Sequence, residues 1–188
     1  IGIITANPEF SDVLSLEGVA DTKNPSVPIF GVPTTAGTAS ETTINYVVTD
    51  TARKRKFVAV DPHDIPLVAF VDPDLTDTMP RGLKVATGLD ALTHAIEGFV
   101  TPGSWSLSNC LSLQTIRMVA ENLAKSADGD VEAGEQMAYA SYITGMAYSN
   151  VGLGLVHGMA HPLGGRLGVA HGVANGILLS SVMEYNKD

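Results

Sequence analysis

With 188 residues, 45% of them hydrophobic, the chain can bury a sizeable core as one large domain or as parts of two. A formal charge of −9, from 11 basic against 20 acidic residues, argues against a general affinity for nucleic acid or an anionic membrane and fits small-molecule chemistry better. No apolar run reaches the roughly 18 to 20 residues of a membrane span, and a lone cysteine, Cys110, leaves no intramolecular disulfide framework. Cys110 reads as a small buried hydrophobe in a reducing compartment, so a cytoplasmic protein is expected. The chain opens on Ile1 in what reads as the middle of an element, and an internal fragment is expected.

The first eighty residues are strand-like. Runs rich in Val, Ile and Phe at 26 to 33, 43 to 50, 56 to 61 and 67 to 72 are bounded by Pro, Asp, Gly and Thr. No long helical pattern separates them, so they predict one region of a mixed sheet rather than a set of βαβ units. Between the first two lies PTTAGTASET, where hydroxyls, backbone N–H groups and a glycine permit close approach by a phosphate; such clusters between strands are more often plain turns. The basic run 53 to 56 predicts a solvated hairpin tip, one residue of which can reach a cofactor phosphate.

After VDPDLTDTMP the strand signals stop, placing a boundary near residue 79. Apolar residues then recur at helical spacing over 83 to 100, 107 to 123 and 137 to 146. Ser104 or Ser106 is a candidate cap for the second of these helices, Asp128 or Asp130 for the third. Gly152, Gly154 and Gly158 fall in or beside the next helix, where each glycine costs up to about 1 kcal/mol against alanine, so a packing or ligand-approach role is expected. Pro162 predicts a helix end or kink just after His161. GVANGILLSSVMEYN completes the series as one more helix.

Four of the five histidines gather in this helical part with one carboxylate. Asp90 and His94 stand four apart, as do His157 and His161, and His171 follows; on a helix, residues at i and i+4 share a face. One carboxylate with several imidazoles suits Fe(II), Zn(II), Co(II) or Ni(II), whereas Mg(II) or Ca(II) asks for mostly oxygen donors. The plainer alternative is a set of satisfied core histidines and an Asp at a helix start, which is hard to extend to five such groups in a charge-poor region. Spacing alone does not choose between His157 and His161. Two other classes stay open: a metal-dependent hydrolase, although HGMAH lacks the Glu of HExxH, and a non-catalytic metal-binding chain.

The segments GLDALTHAIEGFVT, NVGLGLVHGMAHPLGG, AHGVANGILL and PTTAGTASETTINYVVTD resemble the iron-dependent (group III) alcohol dehydrogenases, and with DPHDIP and NPEFSDVLSLEG the resemblance covers nearly all 188 residues. It implies α/β followed by all-α: residues 1–79 as the C-terminal part of a dinucleotide-binding domain, and 80–188 as part of a helical metal-binding catalytic domain. The family's Gly-Gly-Gly-Ser pyrophosphate turn then lies before residue 1, and a further helical segment after residue 188. The resemblance carries the metal ligands onto Asp90, His94, His157 and His171, and leaves His161 beside the metal for proton relay or substrate orientation. It gives cofactor contacts to Thr34, Thr35, Thr38, Asn45, Val47 and Lys56. The activity implied is hydride transfer between NAD(H) and a small alcohol or aldehyde, such as lactaldehyde or 1,2-propanediol, with iron (or zinc) as the metal and a homodimer as the assembly. Ala170 stands where the family usually has proline, after an unusual GRLGV, a departure that bears on substrate preference more than on the metal.

Overall fold

Proline decides how much of each apolar run becomes strand, because it has no N–H to give a ladder. The computed structural model of the protein describes residues 1–187. In it the run holding Pro28 and Pro33 pairs only at β2 (Phe30–Gly31), and the run between Pro66 and Pro73 only at β5 (Val68–Ala69), which lie parallel to each other. The hairpin is longer: β3 (Asn45–Asp50) and β4 (Arg55–Val60) are antiparallel in a register that sets Val47 opposite Val58. A two-residue β1 (Gly18–Val19) joins β4 in parallel. The expected single mixed sheet is therefore two small ones, ordered β1-β4-β3 and β2-β5. The opening residues, expected as strand, start instead with a short helix α1 (Gly2–Ala6) and single 3-10 turns, packing Ile3 and Leu16 under Ala59 of β4.

The basic run turns the hairpin, with Lys54 in the left-handed region at φ 51° and Arg55 ion-paired to Glu17 at 2.5 Å. After the one-turn helix α2 (Asp74–Asp77), five helices follow: α3 (Arg81–Val100), α4 (Ser106–Ala127), α5 (Val131–Val151), α6 (Leu155–Leu167) and α7 (His171–Tyr185). The fold is thus a mixed α/β portion followed by a helical portion. Among the described residues, no helix is long and apolar enough to cross a membrane.

Local chemistry sets the helix ends. Asp130 caps α5 by accepting from the Ala133 N–H at 2.9 Å. Neither Ser104 nor Ser106 caps α4; Ser108 does the work from inside the first turn, its hydroxyl accepting from the Trp105 N–H at 2.9 Å. The helix α6 runs on through Pro162, contrary to the expected end there. The only intrahelical bond that proline removes is the one to the Gly158 carbonyl, and the helix is held beyond it by β4: a Cβ on Gly165 would sit 2.8 Å from the Arg55 Cα.

The helical core packs alanines against larger apolar side chains. Ala91, Met118, Val119, Met137 and Ala140 join α3, α4 and α5, while Val156, Leu179 and Val182 join α6 and α7 with Leu92 and Ile96 of α3. Cys110 is exposed, not buried as expected, because α4 turns Ser108, Ser112 and Thr115 inward and position 110 falls on the other face. Helix α7 approaches α3 at Gly172, where a Cβ would lie 1.9 Å from the carbonyl oxygen of Ala86. That atom is backbone and has no rotamer to escape into. Gly172→Ala is therefore expected to destabilise the fold by about 1–3 kcal/mol, the usual cost of overpacking; chemical denaturation of the two proteins measures it.

Candidate metal and nucleotide site

The contact at Gly172 brings α7 against α3, and α6 packs on α7 beside them. Asp90, His94 and Glu97 stand at i, i+4 and i+7 on α3 and share one buried face. Helix α6 presents His157 and His161, and α7 presents His171 and, one turn on, Asn175. Ligand atoms of Asp90, His157 and His171 all lie within 4.8 Å of one another. His157 Nε2 and His171 Nε2 are 3.6 and 3.4 Å from Asp90 Oδ1. His94 stands beside this group, with Nδ1 3.9 Å from the same oxygen. Its ring is packed between Tyr148 and His157, with centroids 4.1 and 4.5 Å away. His161 stacks on His171 at 5.1 Å and meets His157 edge-on at 6.0 Å. All four expected ligands and His161 thus share one cluster, although only three of the four meet at a single point.

The electrostatics follow from burial and neighbours. Burial by itself raises the Asp90 carboxyl, but His94, His157 and His171 outweigh it and hold the group well below the usual carboxylate range. Burial lowers the His94 imidazole to about 3 and that of His161 to about 4, so both rings are neutral at pH 7. For His157 burial pulls the other way from Asp90 and Glu97, and the two carboxylates prevail, raising it.

The donor set fits a divalent transition ion. It combines one anionic oxygen with imidazole nitrogens, and His94 Nδ1 is a buried atom with no hydrogen-bond partner. Two residues that the sequence reading passed over complete the surroundings. Asn175 donates to Asp90 Oδ1 at 2.6 Å, with its amide nitrogen 3.3 and 3.4 Å from His157 Nε2 and His171 Nε2. Glu97 accepts from His157 Nδ1 at 2.6 Å. Both were signalled by spacing, Glu97 at i+7 from Asp90 and Asn175 at i+4 from His171.

The cluster lines a cavity of about 550 Å³ together with residues of the hairpin and of the loop before it. Thr38, Asn45, Val47 and Lys56 line it; Thr34, exposed, and Thr35, half-buried, do not. The phenol of Tyr148, which burial raises, donates to the Thr38 carbonyl at 2.7 Å and so ties the threonine loop to the ring stacked on His94. Of the three glycines, Gly152 has a positive φ of 84° past the end of α5, Gly154 lies against Glu97, and Gly158 opens onto the cavity. Ala170 keeps φ at −59°, the value a proline there would impose, so the approach to His171 is undisturbed by the exchange.

Comparison with known proteins places this arrangement. Residues 1–73 match the model described as "Iron-containing alcohol dehydrogenase", and residues 84–188 match "Fe-containing alcohol dehydrogenase family, C-terminal". The chain is 62% identical over 188 residues to lactaldehyde reductase of Escherichia coli (strain K12), taking in 100% of this chain and 49% of that protein. It thus spans about half the length of the curated relatives it matches. Among solved structures it is similar to a 1,3-propanediol oxidoreductase, with a TM-score of 0.92 and 43% identity over 98% of this chain and 48% of the other. It also resembles a sulfoacetaldehyde reductase from Bifidobacterium kashiwanohense solved in complex with NAD+, with a TM-score of 0.84 and 32% identity over 93% and 47% of the two chains. Two family models that between them take in both portions of the fold agree with the donors gathered on α3, α6 and α7, and the chain belongs to the iron-containing alcohol dehydrogenase family.

Proposed function

We propose that the chain forms the metal-holding core and one nucleotide wall of an NAD(H)-linked alcohol dehydrogenase, transferring hydride between nicotinamide and a small alcohol or aldehyde of the lactaldehyde/1,2-propanediol class. The observation that carries this reading is the cluster of one carboxylate and several imidazoles in a cavity that Thr38, Asn45, Val47 and Lys56 also line. Asp90, His94, His157 and His171 hold one divalent ion, iron in preference to zinc, which when bound supplies Lewis acidity at the substrate oxygen. Thr38, Asn45, Val47 and Lys56 receive the nucleotide in the cavity, with Thr34 and Thr35 contacting it from the same loop outside the cavity, and the fixed walls hold nicotinamide and substrate in register, which is the protein's main contribution to a hydride transfer. His161, neutral and facing the cavity, accepts or passes the hydroxyl proton.

The same reading divides the chain near residue 79 into a partial dinucleotide-binding portion and a helical metal-binding portion. It also carries a cytoplasmic site of action, which the single cysteine fits, and a homodimer, which rests on the family alone. The test is to prepare the intact protein without oxygen, assay its iron and zinc, and follow NADH consumption with short aldehydes, lactaldehyde included. One ion per chain and metal-dependent NADH oxidation are expected; a metal-replete protein inert toward every small aldehyde and alcohol contradicts the reading.

Tyr148 gives a narrower prediction. In Tyr148→Phe the ring still stacks on His94, but the bond to the Thr38 carbonyl is lost. With one hydrogen bond worth about 0.5–1.5 kcal/mol net, KM for NADH is expected to rise by roughly 2- to 10-fold while metal content is unchanged. Unchanged KM alongside lowered metal content would show that the phenol serves the ion and not the loop.

A further inference from the structure

We propose that Glu97 is a positioning residue for the metal site: from α3 it fixes the ring of His157 with Nδ1 protonated and Nε2 bare, and it sets the first turn of α6 that carries this ring. The proposal rests on the reading of His157 as a metal ligand.

Glu97 is 3% exposed. Its Oε1 accepts from the Val156 N–H at 2.6 Å, and its Oε2 from His157 Nδ1 at 2.6 Å and from the His157 N–H at 3.4 Å. Helix α6 begins at Leu155 behind Gly154, which has no side chain to cap it. A helix start leaves its first N–H groups without intrahelical partners and carries partial positive charge. Here a carboxylate from another helix meets both needs. A Cβ on Gly154 would lie 2.8 Å from Glu97 Oε1, so glycine leaves the room in which that carboxylate sits.

The consequence for His157 is chemical. An ionised carboxylate only accepts hydrogen bonds, so the short contact requires the proton on Nδ1. The lone pair of a neutral ring then falls on Nε2, which faces Asp90 Oδ1. Carboxylate partners of this kind orient ligating imidazoles and raise their basicity. A glutamine in the same place has one accepting oxygen for two short contacts. If its NH₂ faces His157, the ring must accept at Nδ1 and carry its proton on Nε2, where it blocks a metal.

The test has two parts, both in the intact protein. Nitrogen NMR of labelled histidine in the metal-free wild type, at alkaline pH where the ring is neutral, is expected to show His157 protonated at Nδ1. Competition with a chelator for zinc is expected to show Glu97→Gln binding roughly 10–100-fold more weakly than wild type, with Gly154→Ala weakened in the same sense through displacement of the carboxylate. Wild-type His157 protonated at Nε2 would overturn the proposal without need of any variant. Affinity of Glu97→Gln within about twofold of wild type would also overturn it, and leave Glu97 as a helix cap. Wild type that takes up no zinc while showing the expected His157 spectrum instead overturns the metal reading, and Glu97's part in it.

Discussion

His171→Ala is expected to empty the metal site of the intact protein while leaving the fold in place. His171 is the most accessible of the three donors that meet, with a side chain 24% exposed against 3% and 4% for Asp90 and His157. It is also the first residue of α7, where alanine is well tolerated, so its removal creates no large cavity. If about 10–16 kcal/mol of binding free energy is shared among four ligands, one ligand carries roughly 2.5–4 kcal/mol, or on the order of 10²- to 10³-fold in affinity. Metal content after dialysis against a chelator, read beside the thermal unfolding of the metal-free protein, measures this. Full retention of metal would remove His171 from the ligand set. His157→Ala should lose metal at least as strongly, but it also leaves the buried Glu97 carboxylate without its imidazole partner, so a fall in stability is expected as well.

His161→Ala is expected to fail in the opposite way, keeping the ion and losing turnover. His161 lies one turn beyond His157 on α6, with its ring stacked against His171. Like His94 it falls outside the group of donors that meet, but whereas His94 Nδ1 is 3.9 Å from Asp90 Oδ1, His161 makes no such contact with that carboxylate. Burial, with His171, His157 and Lys56 nearby, holds it at about 4, so through the neutral range it is an uncharged ring able to accept a proton from a substrate hydroxyl in the same cavity. Loss of a residue engaged in proton transfer costs about 10²- to 10⁴-fold in turnover, and loss of an orienting residue less. Steady-state NADH kinetics and metal content from one preparation separate the two substitutions. Metal loss in His161→Ala alongside retention in His171→Ala would exchange their roles.

Spacing made much of this arrangement legible in advance. The pairs Asp90/His94 and His157/His161 announce shared helix faces, and the apolar periodicity marks each long helix in the right region. Spacing could not decide which imidazoles converge, because that depends on how α6 and α7 meet α3 at glycine contacts such as Gly172, which are fixed by three-dimensional approach. Glu97 and Asn175 lay on the same stripes as the expected ligands, but a Glu or Asn on a helix has many uses, and only the positions of α6 and α7 show what these two face. Cys110 was misread for a related reason. A face of α4 counts as inner or outer only once α3 and α5 are packed on it. The strand runs were recognisable from composition, whereas their division into two sheets depends on pairing between distant segments and on prolines that shorten β2 and β5.

The most direct test of the central claim is anomalous diffraction at the zinc edge from crystals of the intact protein loaded with zinc. One peak per chain is expected, at about 2.0–2.2 Å from the ligating atoms, among Asp90, His94, His157 and His171. A peak elsewhere, or one coordinated by His161 in place of His94 or His171, would contradict the assignment on which the proposed chemistry depends.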